Sequence, residues 1–323
     1  MENTKLIHLE KPNTLSKYLS KEERDKIVSL KITGFIGRKD FDDVLDGMCY
    51  LWGEYDDDDN FVPDYEHSAN IRHLDLGDAI YVDGEFLPYF GFNAQLETFI
   101  LPKGIKSTFD ETEMETGISE SENLRTLVLP ENLKIVGGFH SCPNLTGLTL
   151  PEGLEEIVDN AFCGCEAITE IRIPASVRML TGFAFAGCNL AAYEVDEANP
   201  YFTVIDGVIY SKDLKTLVAF PSAYPSREYT VLETTQIIGE RAFSFSHVEN
   251  VELPKGLNSI GYGAFSCSDI RKIEIPDSVI KIEDYAFDCC FDLEYICLPD
   301  NSMKNKIGKI ELCPKLKFSI AKK

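Results

Sequence analysis

Residues 144–165 read N-L-T-G-L-T-L-P-E-G-L-E-E-I-V-D-N-A-F-C-G-C and hold one complete copy of a phrase that recurs along the chain. The phrase is an apolar run closed by proline, then a turn, then Ala-Phe followed by a small residue or cysteine. Its proline-terminated part stands at residues 126–130, 147–151, 170–174, 250–254, 272–276 and 295–299. Within each uninterrupted run the prolines lie 21, 23, 22 and 23 residues apart. A fixed period of this length predicts a stack of similar coils.

Each copy predicts a short strand followed by a turn. Leu148 and Leu150 alternate with smaller residues, which is the pattern of a strand with one buried face. Proline ends the strand because it lacks the N–H that the next ladder bond needs. One coil buries too little apolar surface to offset the entropy of ordering its backbone, so neighbouring coils must stack. We therefore predict an α+β repeat solenoid with a parallel β-sheet on one face and short helical or 3₁₀ turns on the other.

The first part of the chain differs from the repeat and predicts a closing cap. Residues 1–66 are expected to form an N-terminal α/β capping region. Ser20 and Glu23 have the spacing of a helix capping box. Residues 40–49 predict an amphipathic helix with Asp40 as its N-cap.

The solenoid is expected to occupy residues 67–323, with one interruption. Residues 196–226 depart from the period and contain alternating runs separated by turn signals, of which Asp206-Gly207 is the clearest. This pattern predicts a protruding β-hairpin or a small three-stranded flap.

Cysteines follow the repeat. The position four residues after the alanine, which is Gly138 in a degenerate first copy, holds Cys or Ser in six copies: Cys142, Cys165, Cys188, Ser246, Ser268 and Cys290. One column of small, weakly hydrogen-bonding side chains predicts a buried rung of reduced thiols. Adjacent coils lie about 5 Å apart, so a disulfide between coils stays open as an alternative. A zinc site made by Cys163, Cys165, Cys289 and Cys290 is a further alternative, which the C-x-C and C-C spacings favour little.

Net charge limits the partners. The chain carries 54 acidic and 31 basic side chains, for a formal net charge of -23. This charge repels nucleic acid and anionic lipid, so we expect neither as a partner. No window approaches the roughly 18 apolar residues of a membrane span, so we expect no membrane insertion. Residues 1–9 lack the apolar run of a signal peptide. We expect either that the protein stays inside the cell or that an export signal has been removed.

Catalytic motifs are missing from the sequence. It contains no phosphate-binding loop, no dinucleotide-binding glycine motif, no nucleophile elbow and no H-E-x-x-H pair. The five histidines are His8, His67, His73, His140 and His247. None of them stands in a recognisable nucleophile or metal spacing. We predict that the protein is not an enzyme, and we assign no catalytic residue and no cofactor.

An acidic run within residues 54–64 raises a calcium hypothesis. Asp56, Asp58 and Asn60 are candidate cation ligands. The EF-hand pattern fails because Phe61 stands where that loop needs glycine. A solvated acidic loop is the simpler interpretation, and a calcium-dependent binding protein is the alternative.

Aromatic residues concentrate around the same loop. Ten of them lie within residues 50–92, and Trp52 and Tyr55 stand just before the acidic run at Asp56. One interpretation packs these rings between the cap and the first coil. The other leaves an exposed aromatic patch that binds a protein or a sugar, with Trp52 and Tyr55 as candidate ligand-binding residues.

The outward face of the predicted sheet offers a second candidate surface. Its candidate ligand-binding residues are Arg172, Glu194, Asn250, Glu252, Lys272, Glu274 and Tyr295. Ligands of solenoid proteins commonly lie on such a strip, and this strip becomes acidic toward its C-terminal half. A plain solvated sheet face is the alternative interpretation.

Taken together, these motifs resemble the BspA-type leucine-rich repeat family of bacterial proteins. Repeats of that family carry L-x-x-L-x-L-P followed by I-x-x-x-A-F-x-x-C. Its members also carry N-P-x-F-x-x-x-D-G-V-x-Y-x-K-D, which stands here at residues 199–213. Phrases at Thr14, Leu30 and Leu74 are similar to the opening segment of the family. The resemblance covers nearly the whole chain and implies a leucine-rich-repeat right-handed coil.

Function follows only from this resemblance. Members of the family are mostly cell-surface or secreted proteins, and some adhere to host proteins. The resemblance implies a non-enzymatic module for protein–protein or protein–glycan interaction, an adhesin-like protein of a bacterial surface, which we expect to be a monomer. An intracellular scaffold of the same fold is the alternative.

Overall fold

The computed structural model describes residues 3–49, 53–55, 61–63, 70–88, 95–109 and 118–321. The chain divides into two compact units. Unit 1 comprises residues 1–156 and 164–167, and unit 2 comprises residues 157–163 and 168–323. Most of the described secondary structure is short parallel β-strand in solenoid coils, and helices are few.

Unit 1 is built on a parallel sheet. Its strands in chain order are β1 (Thr4–Leu9), β2 (Ser29–Ile36), β3 (Gly53–Tyr55), β4 (Phe61–Pro63), β5 (His73–Tyr81), β6 (Thr98–Ile100), β7 (Thr126–Val128) and β8 (Ile135–Val136). Strands β1, β2, β5, β6 and β7 form one five-stranded parallel sheet in that order, and β3 pairs antiparallel with β4. The register aligns Leu30, Leu74, Phe99 and Leu127 in one buried column. Strand β1 lies in a segment where the sequence pattern predicted no strand.

Helices of unit 1 lie near its start. They are a 3₁₀ turn (Leu15–Lys17), α1 (Lys21–Arg24), and a continuous helical run of α2 (Arg38–Asp40), a π-helical turn (Phe41–Leu45) and α3 (Asp46–Cys49). The capping box at α1 is confirmed, since Glu23 N donates to Ser20 Oγ at 3.3 Å and Ser20 N donates to Glu23 Oε2 at 3.0 Å. Each described helix is too short to cross a bilayer.

Asp40 does not have the predicted N-cap role. The helical run begins at Arg38, with Gly37 at the N-cap, so Asp40 lies inside the first turn. Its buried carboxylate accepts hydrogen bonds from the backbone N–H groups of Asn13 (2.7 Å), Leu15 (2.8 Å) and Gly37 (3.0 Å). A buried carboxylate is stable there because each bond is charge-assisted. Asp40 therefore ties the loop before the 3₁₀ turn to the helix.

Unit 2 contains most copies of the repeat. Its strands, after β9 (Glu156–Ile157) at the boundary, are β10 (Arg172–Ile173), β11 (Met179–Leu180), β12 (Glu194–Val195), β13 (Phe202–Ile205), β14 (Val208–Ser211), β15 (Thr216–Ala219), β16 (Glu228–Thr230), β17 (Ile237–Ile238), β18 (Asn250–Glu252), β19 (Ser259–Ile260), β20 (Lys272–Glu274), β21 (Lys281–Ile282), β22 (Tyr295–Leu298) and β23 (Lys317–Ile320). Strands β16, β18, β20, β22 and β23 form a five-stranded parallel sheet. A narrower parallel ladder joins β15, β17, β19 and β21.

The Ala-Phe segments are not helical. The five Ala-Phe pairs that begin at Ala161, Ala184, Ala242, Ala264 and Ala286 lie in turns, and each follows a two-residue strand, which is β9, β11, β17, β19 or β21 respectively. The only helix described in this unit is a 3₁₀ helix at Asn301–Lys306. The segments predicted to be helical or 3₁₀ are therefore non-helical turns, and the short strands before them form parallel pairs between coils.

Phenylalanine fills the centre of each coil. The rings of Phe220, Phe243, Phe265 and Phe287 stack with successive centroid distances of 4.5, 4.7 and 5.3 Å. The backbone N–H of Phe243 donates to Ala264 O and that of Phe265 to Ala286 O, each at 2.7 Å. Alanine suits this position because the two coils approach closely there. The Ala-Phe pair therefore supplies both a backbone bond and a ring contact between coils.

The cysteine column lies beside this phenylalanine stack. Cys188 Sγ donates to Phe162 O at 3.2 Å, and Cys290 Sγ donates to Phe265 O at 3.0 Å. Cys313 Sγ continues the series by donating to Phe287 O at 2.8 Å. All ten cysteines are thiols rather than disulfides in the structure. The thiol thus donates to the carbonyl of the phenylalanine one coil earlier. The serines of the column do not, since Ser268 Oγ donates to Phe265 O of its own coil at 2.6 Å and Ser246 Oγ has no hydrogen-bond partner.

The insertion at residues 196–226 is part of the core. Strand β14 pairs antiparallel with β13 and β15, and β15 continues as the first strand of the narrow ladder. Val208, Tyr210 and Leu217 are fully buried. The strands therefore exist as the alternating runs indicate, but they do not protrude.

Beside the insertion, two non-consecutive coils come into contact. A Cβ placed on Gly182 would lie 2.5 Å from Arg241 O, so only glycine fits there. The Arg241 guanidinium lies 4.3 Å from the ring centroid of Phe183 and 5.3 Å from that of Tyr262. Its Nε is 3.6 Å from Asp159 Oδ2. Arginine between two rings and a carboxylate fastens these coils together.

Truncating one ring of the stack tests its contribution. We expect Phe265→Ala to lower the free energy of unfolding by about 3–5 kcal/mol, because it leaves a cavity between two stacked rings. Phe291→Ala is the matched control, since Phe291 is exposed and its loss is expected to cost less than about 1 kcal/mol. Urea denaturation of both variants gives the comparison. Equal losses would show that the stack does not carry the stability of unit 2.

Candidate functional site

The five-stranded sheet of unit 2 presents two columns of polar side chains to solvent. Parallel register aligns Glu228, Asn250, Lys272, Tyr295 and Lys317 in the first column. It aligns Thr230, Glu252, Glu274, Cys297 and Ser319 in the second column. Neighbours within a column are spaced by the strand separation, about 4.8 Å. The buried column between them holds Tyr229, Val251, Ile273 and Ile296.

A shallow groove of about 550 Å³ crosses β16, β18 and β20. Its charged and polar lining residues are Glu228, Thr230, Asn250, Glu252, Lys255, Lys272 and Glu274. Four of the sequence-predicted candidates therefore come together here: Asn250, Glu252, Lys272 and Glu274. Tyr295 lies exposed on the next strand, directly beside Lys272 in the register.

Charges of the groove are not neutralised by each other. Among the described residues, no ion pair involves Glu252, Glu274, Lys255 or Lys272, and Glu252 only accepts a hydrogen bond from Thr230 Oγ1 at 3.2 Å. The residues just before these strands behave differently. Glu249 Oε2 lies 3.1 Å from Arg271 Nε, and Arg227 Nη1 lies 3.0 Å from Asp269 Oδ2. The edge of the sheet is thus paired while the groove keeps charged groups available.

Two buried tyrosines support the floor of the groove. The hydroxyl oxygens of Tyr210 and Tyr229 lie 2.7 Å apart. Burial raises the pKa of both phenols above the ordinary value of 10.0, and the hydrogen bond with Tyr210 raises the pKa of Tyr229 further. Both hydroxyls therefore stay neutral at physiological pH and hold β16 against β14.

The other candidates lie apart from the groove. Arg172 and Glu194 align on a separate two-stranded sheet of unit 2, where Arg172 forms an ion pair with Asp196. Tyr55 ends strand β3 of unit 1, and nothing is described of its side chain. Trp52, Asp56, Asp58 and Asn60 lie outside the described residues. Within the described part of the chain, no cluster of three His, Cys, Asp or Glu side chains could hold a metal ion.

The aromatic segment is described only in part. Tyr81 is buried, and its ring lies edge-on to Phe41 at a centroid distance of 5.7 Å. Phe86 is exposed. Packing against the helical run accounts for Tyr81, and the remaining choice between packing and an exposed patch stays a prediction.

Sequence reasoning missed three residues of the groove: Glu228, Thr230 and Lys255. The strand at Glu228–Thr230 escaped notice because no proline closes it. A different signal was present, since Tyr229 lies 13 residues before Ala242, as Val251 does before Ala264. Counting back from each Ala-Phe pair finds the strand without the proline.

Comparison with protein families finds one match. The model of the BspA type leucine-rich repeat region matches this chain in six copies, over residues 137–206 and 218–321. No curated protein matches the chain.

Solved structures share the fold. A leucine-rich repeat protein from Eubacterium ventriosum aligns with a TM-score of 0.54 and 18% identity, over 79% of this chain and 66% of that chain. The pneumococcal vaccine antigen PcpA aligns with a TM-score of 0.54 and 19% identity, over 94% of this chain and 72% of that chain. A leucine rich cell surface protein from Faecalibacterium prausnitzii gives a TM-score of 0.50 and 17% identity, over 93% and 74%. This chain thus spans just under two-thirds of the Eubacterium protein, and identities this low carry the fold alone.

Raising the pH tests the tyrosine pair. The pKa of Tyr229 is higher in the folded than in the unfolded protein, so the neutral phenol stabilises the fold fully below about pH 10, and this stabilisation is lost as the pH rises further. We expect the urea midpoint to fall between about pH 8 and about pH 11, and to fall less in Tyr229→Phe. Tyr295→Phe is the control: because Tyr295 is exposed, the urea midpoint of this variant should vary with pH as in the wild type. Identical pH profiles for all three proteins would contradict this role.

Proposed function

The chain belongs to the BspA-type leucine-rich repeat family, and we propose that it is a protein-interaction module whose binding surface is the groove on the five-stranded sheet of unit 2. The single observation that carries the proposal is the contrast between unpaired charges in the groove and paired charges beside it. Charged groups on a folded surface usually gain little from pairing. A partner that desolvates them and supplies complementary groups gains more, because the local dielectric then falls.

The groove fits a basic protein segment. Three carboxylates, those of Glu228, Glu252 and Glu274, outnumber the ammonium groups of Lys255 and Lys272. Lys or Arg side chains of a ligand can pair with the carboxylates. The two lysines fix the register of the ligand, because their ammonium groups donate hydrogen bonds only to its carboxylate or carbonyl oxygens.

Asn250 and Tyr295 also favour ligand binding at this surface. Asn250 is half-buried between charged neighbours, so its amide can bond a ligand backbone. Tyr295 adds a large aromatic contact beside the groove at low entropic cost. The strands beneath are held by the parallel ladder, so little ordering accompanies binding.

We propose that binding, rather than catalysis, is the activity. Among the described residues that line the groove, the one hydroxyl beside a carboxylate is that of Thr230 with Glu252, and no histidine, cysteine or serine accompanies this pair. We further propose that the module is displayed on a bacterial surface and acts as a monomer, in line with the family. The intracellular scaffold is the alternative for its location.

Reversing charge in the groove tests the proposal. Peptides are selected from a phage-displayed library on the wild-type chain, and their affinities are then measured by biolayer interferometry. We expect the enriched peptides to be basic and to bind the double variant Glu252→Lys, Glu274→Lys at least about tenfold more weakly. The matched control is Glu233→Lys, Glu240→Lys, which changes net charge equally at exposed positions of unit 2 outside the groove.

Equal weakening in both double variants would reduce the effect to overall charge and contradict the proposal. Unchanged binding in both would move the site to another surface. Capture of immobilised glycans instead of peptides, lost in the groove variant only, would keep the site and refute the protein ligand.

A further inference from the structure

The coil that contains β23 exposes residues at positions that the preceding coil buries. Register aligns Phe318 with Ile296 and Ile320 with Leu298. Ile296 and Leu298 are 0% exposed, whereas Phe318 is 43% and Ile320 39% exposed. These positions are core positions of the repeat. The described residues supply no strand to cover them.

The turn side of the same coil is equally uncovered. Leu312 is 65% and Phe291 59% exposed, and Ile310 and Leu316 are half-buried. These side chains line an apolar hollow of about 590 Å³. We call this surface, with the outer edge of β23, the end face.

The outer edge of β23 leaves backbone N–H and C=O groups open to a further strand. Strand β23 pairs in parallel with β22 on one side, and no described strand pairs on its other side. An open edge of this kind is a template for a further strand. The interface between coils, repeated through unit 2, sets the geometry that such a strand would adopt.

Charge around the end face is opposite to that of the chain. Residues 301–321 contain five lysines and one glutamate in a chain of net charge -23. Lys315 pairs with Asp292, while Lys304 and Lys309 form no ion pair with a described residue. A second copy of the same face would bring like charges together, which opposes a symmetric dimer. An acidic partner is complementary.

We propose that the end face binds an extended segment of an acidic protein partner, which adds as a strand beside β23 and covers Leu312, Phe318 and Ile320. Its apolar residues alternate toward the hollow and its carboxylates meet the lysines. Residues 292–300, D-L-E-Y-I-C-L-P-D, combine apolar and acidic residues in this way. In the structure this stretch packs on the preceding coil through the buried Leu293, Ile296 and Leu298. This interface is separate from the groove and does not depend on the proposed function.

The test uses a fluorescein-labelled peptide of residues 292–300, with serine in place of Cys297, added to the whole chain. We expect anisotropy to show saturable binding, and a peptide with lysine at Asp292, Glu294 and Asp300 to bind at least about tenfold more weakly. The double variant Leu312→Asp, Phe318→Asp should lose at least about tenfold in affinity. Ile280→Asp is the control and should bind as wild type, since Ile280 is 68% exposed on another face.

A second double variant, Lys309→Glu, Lys317→Glu, alters exposed side chains only and keeps the test independent of core packing. It should weaken the acidic peptide and favour the lysine peptide. Three results would overturn the proposal: no saturable binding, equal affinity of the two peptides, or sedimentation of the chain as a dimer that Leu312→Asp, Phe318→Asp converts to monomer. The last would assign the face to a second copy.

Discussion

The repeated contact on which unit 2 depends is the hydrogen bonding between coils at the core phenylalanines. The N–H groups of Phe220, Phe243 and Phe265 donate to the alanine carbonyl of the next coil. Where that coil has cysteine in its column, the phenylalanine C=O also accepts a thiol, as Phe265 does from Cys290. The ring meanwhile stacks on the rings above and below. A buried peptide group left unpaired here would cost about as much as a coil gains from one side chain. This constraint explains why alanine, phenylalanine and a thiol recur together.

Hydrogen bonds between coils fix the strand register, and the register determines which side chains lie next to each other on the five-stranded sheet. Because each strand starts in step with the last, Asn250 and Lys272 share one column while Glu252 and Glu274 share the other. A shift by one residue would turn these side chains into the interior. The groove therefore exists as a consequence of the packing beneath it, and its charges are held in place without pairing with each other. At the end face, no strand of the described residues pairs with the outer edge of β23.

Periodicity in the sequence predicted most of this arrangement. The proline-terminated phrases located β7, β18, β20 and β22, and the column of Cys and Ser located the buried rung. The family resemblance is confirmed by the match over residues 137–206 and 218–321. Four candidate residues of the sheet face do share one groove. Prediction failed where tertiary contacts decide: β1 has no repeat phrase, Asp40 accepts bonds from a distant loop, and β16 lacks its proline. The sequence pattern also could not predict which charges of the groove form ion pairs, because ion pairing depends on the side-chain rotamers of residues on neighbouring strands.

Native-state amide hydrogen exchange tests the central claim, that in-register coils hold unit 2 together through the phenylalanine backbone bonds. The account predicts that the amides of Phe243 and Phe265 exchange only through global unfolding, with protection that falls in parallel with the urea-induced loss of stability. The amide of Phe318, at the uncovered end, should exchange far faster by local opening. Rapid exchange at Phe243 and Phe265, equal to that at Phe318, would contradict the account.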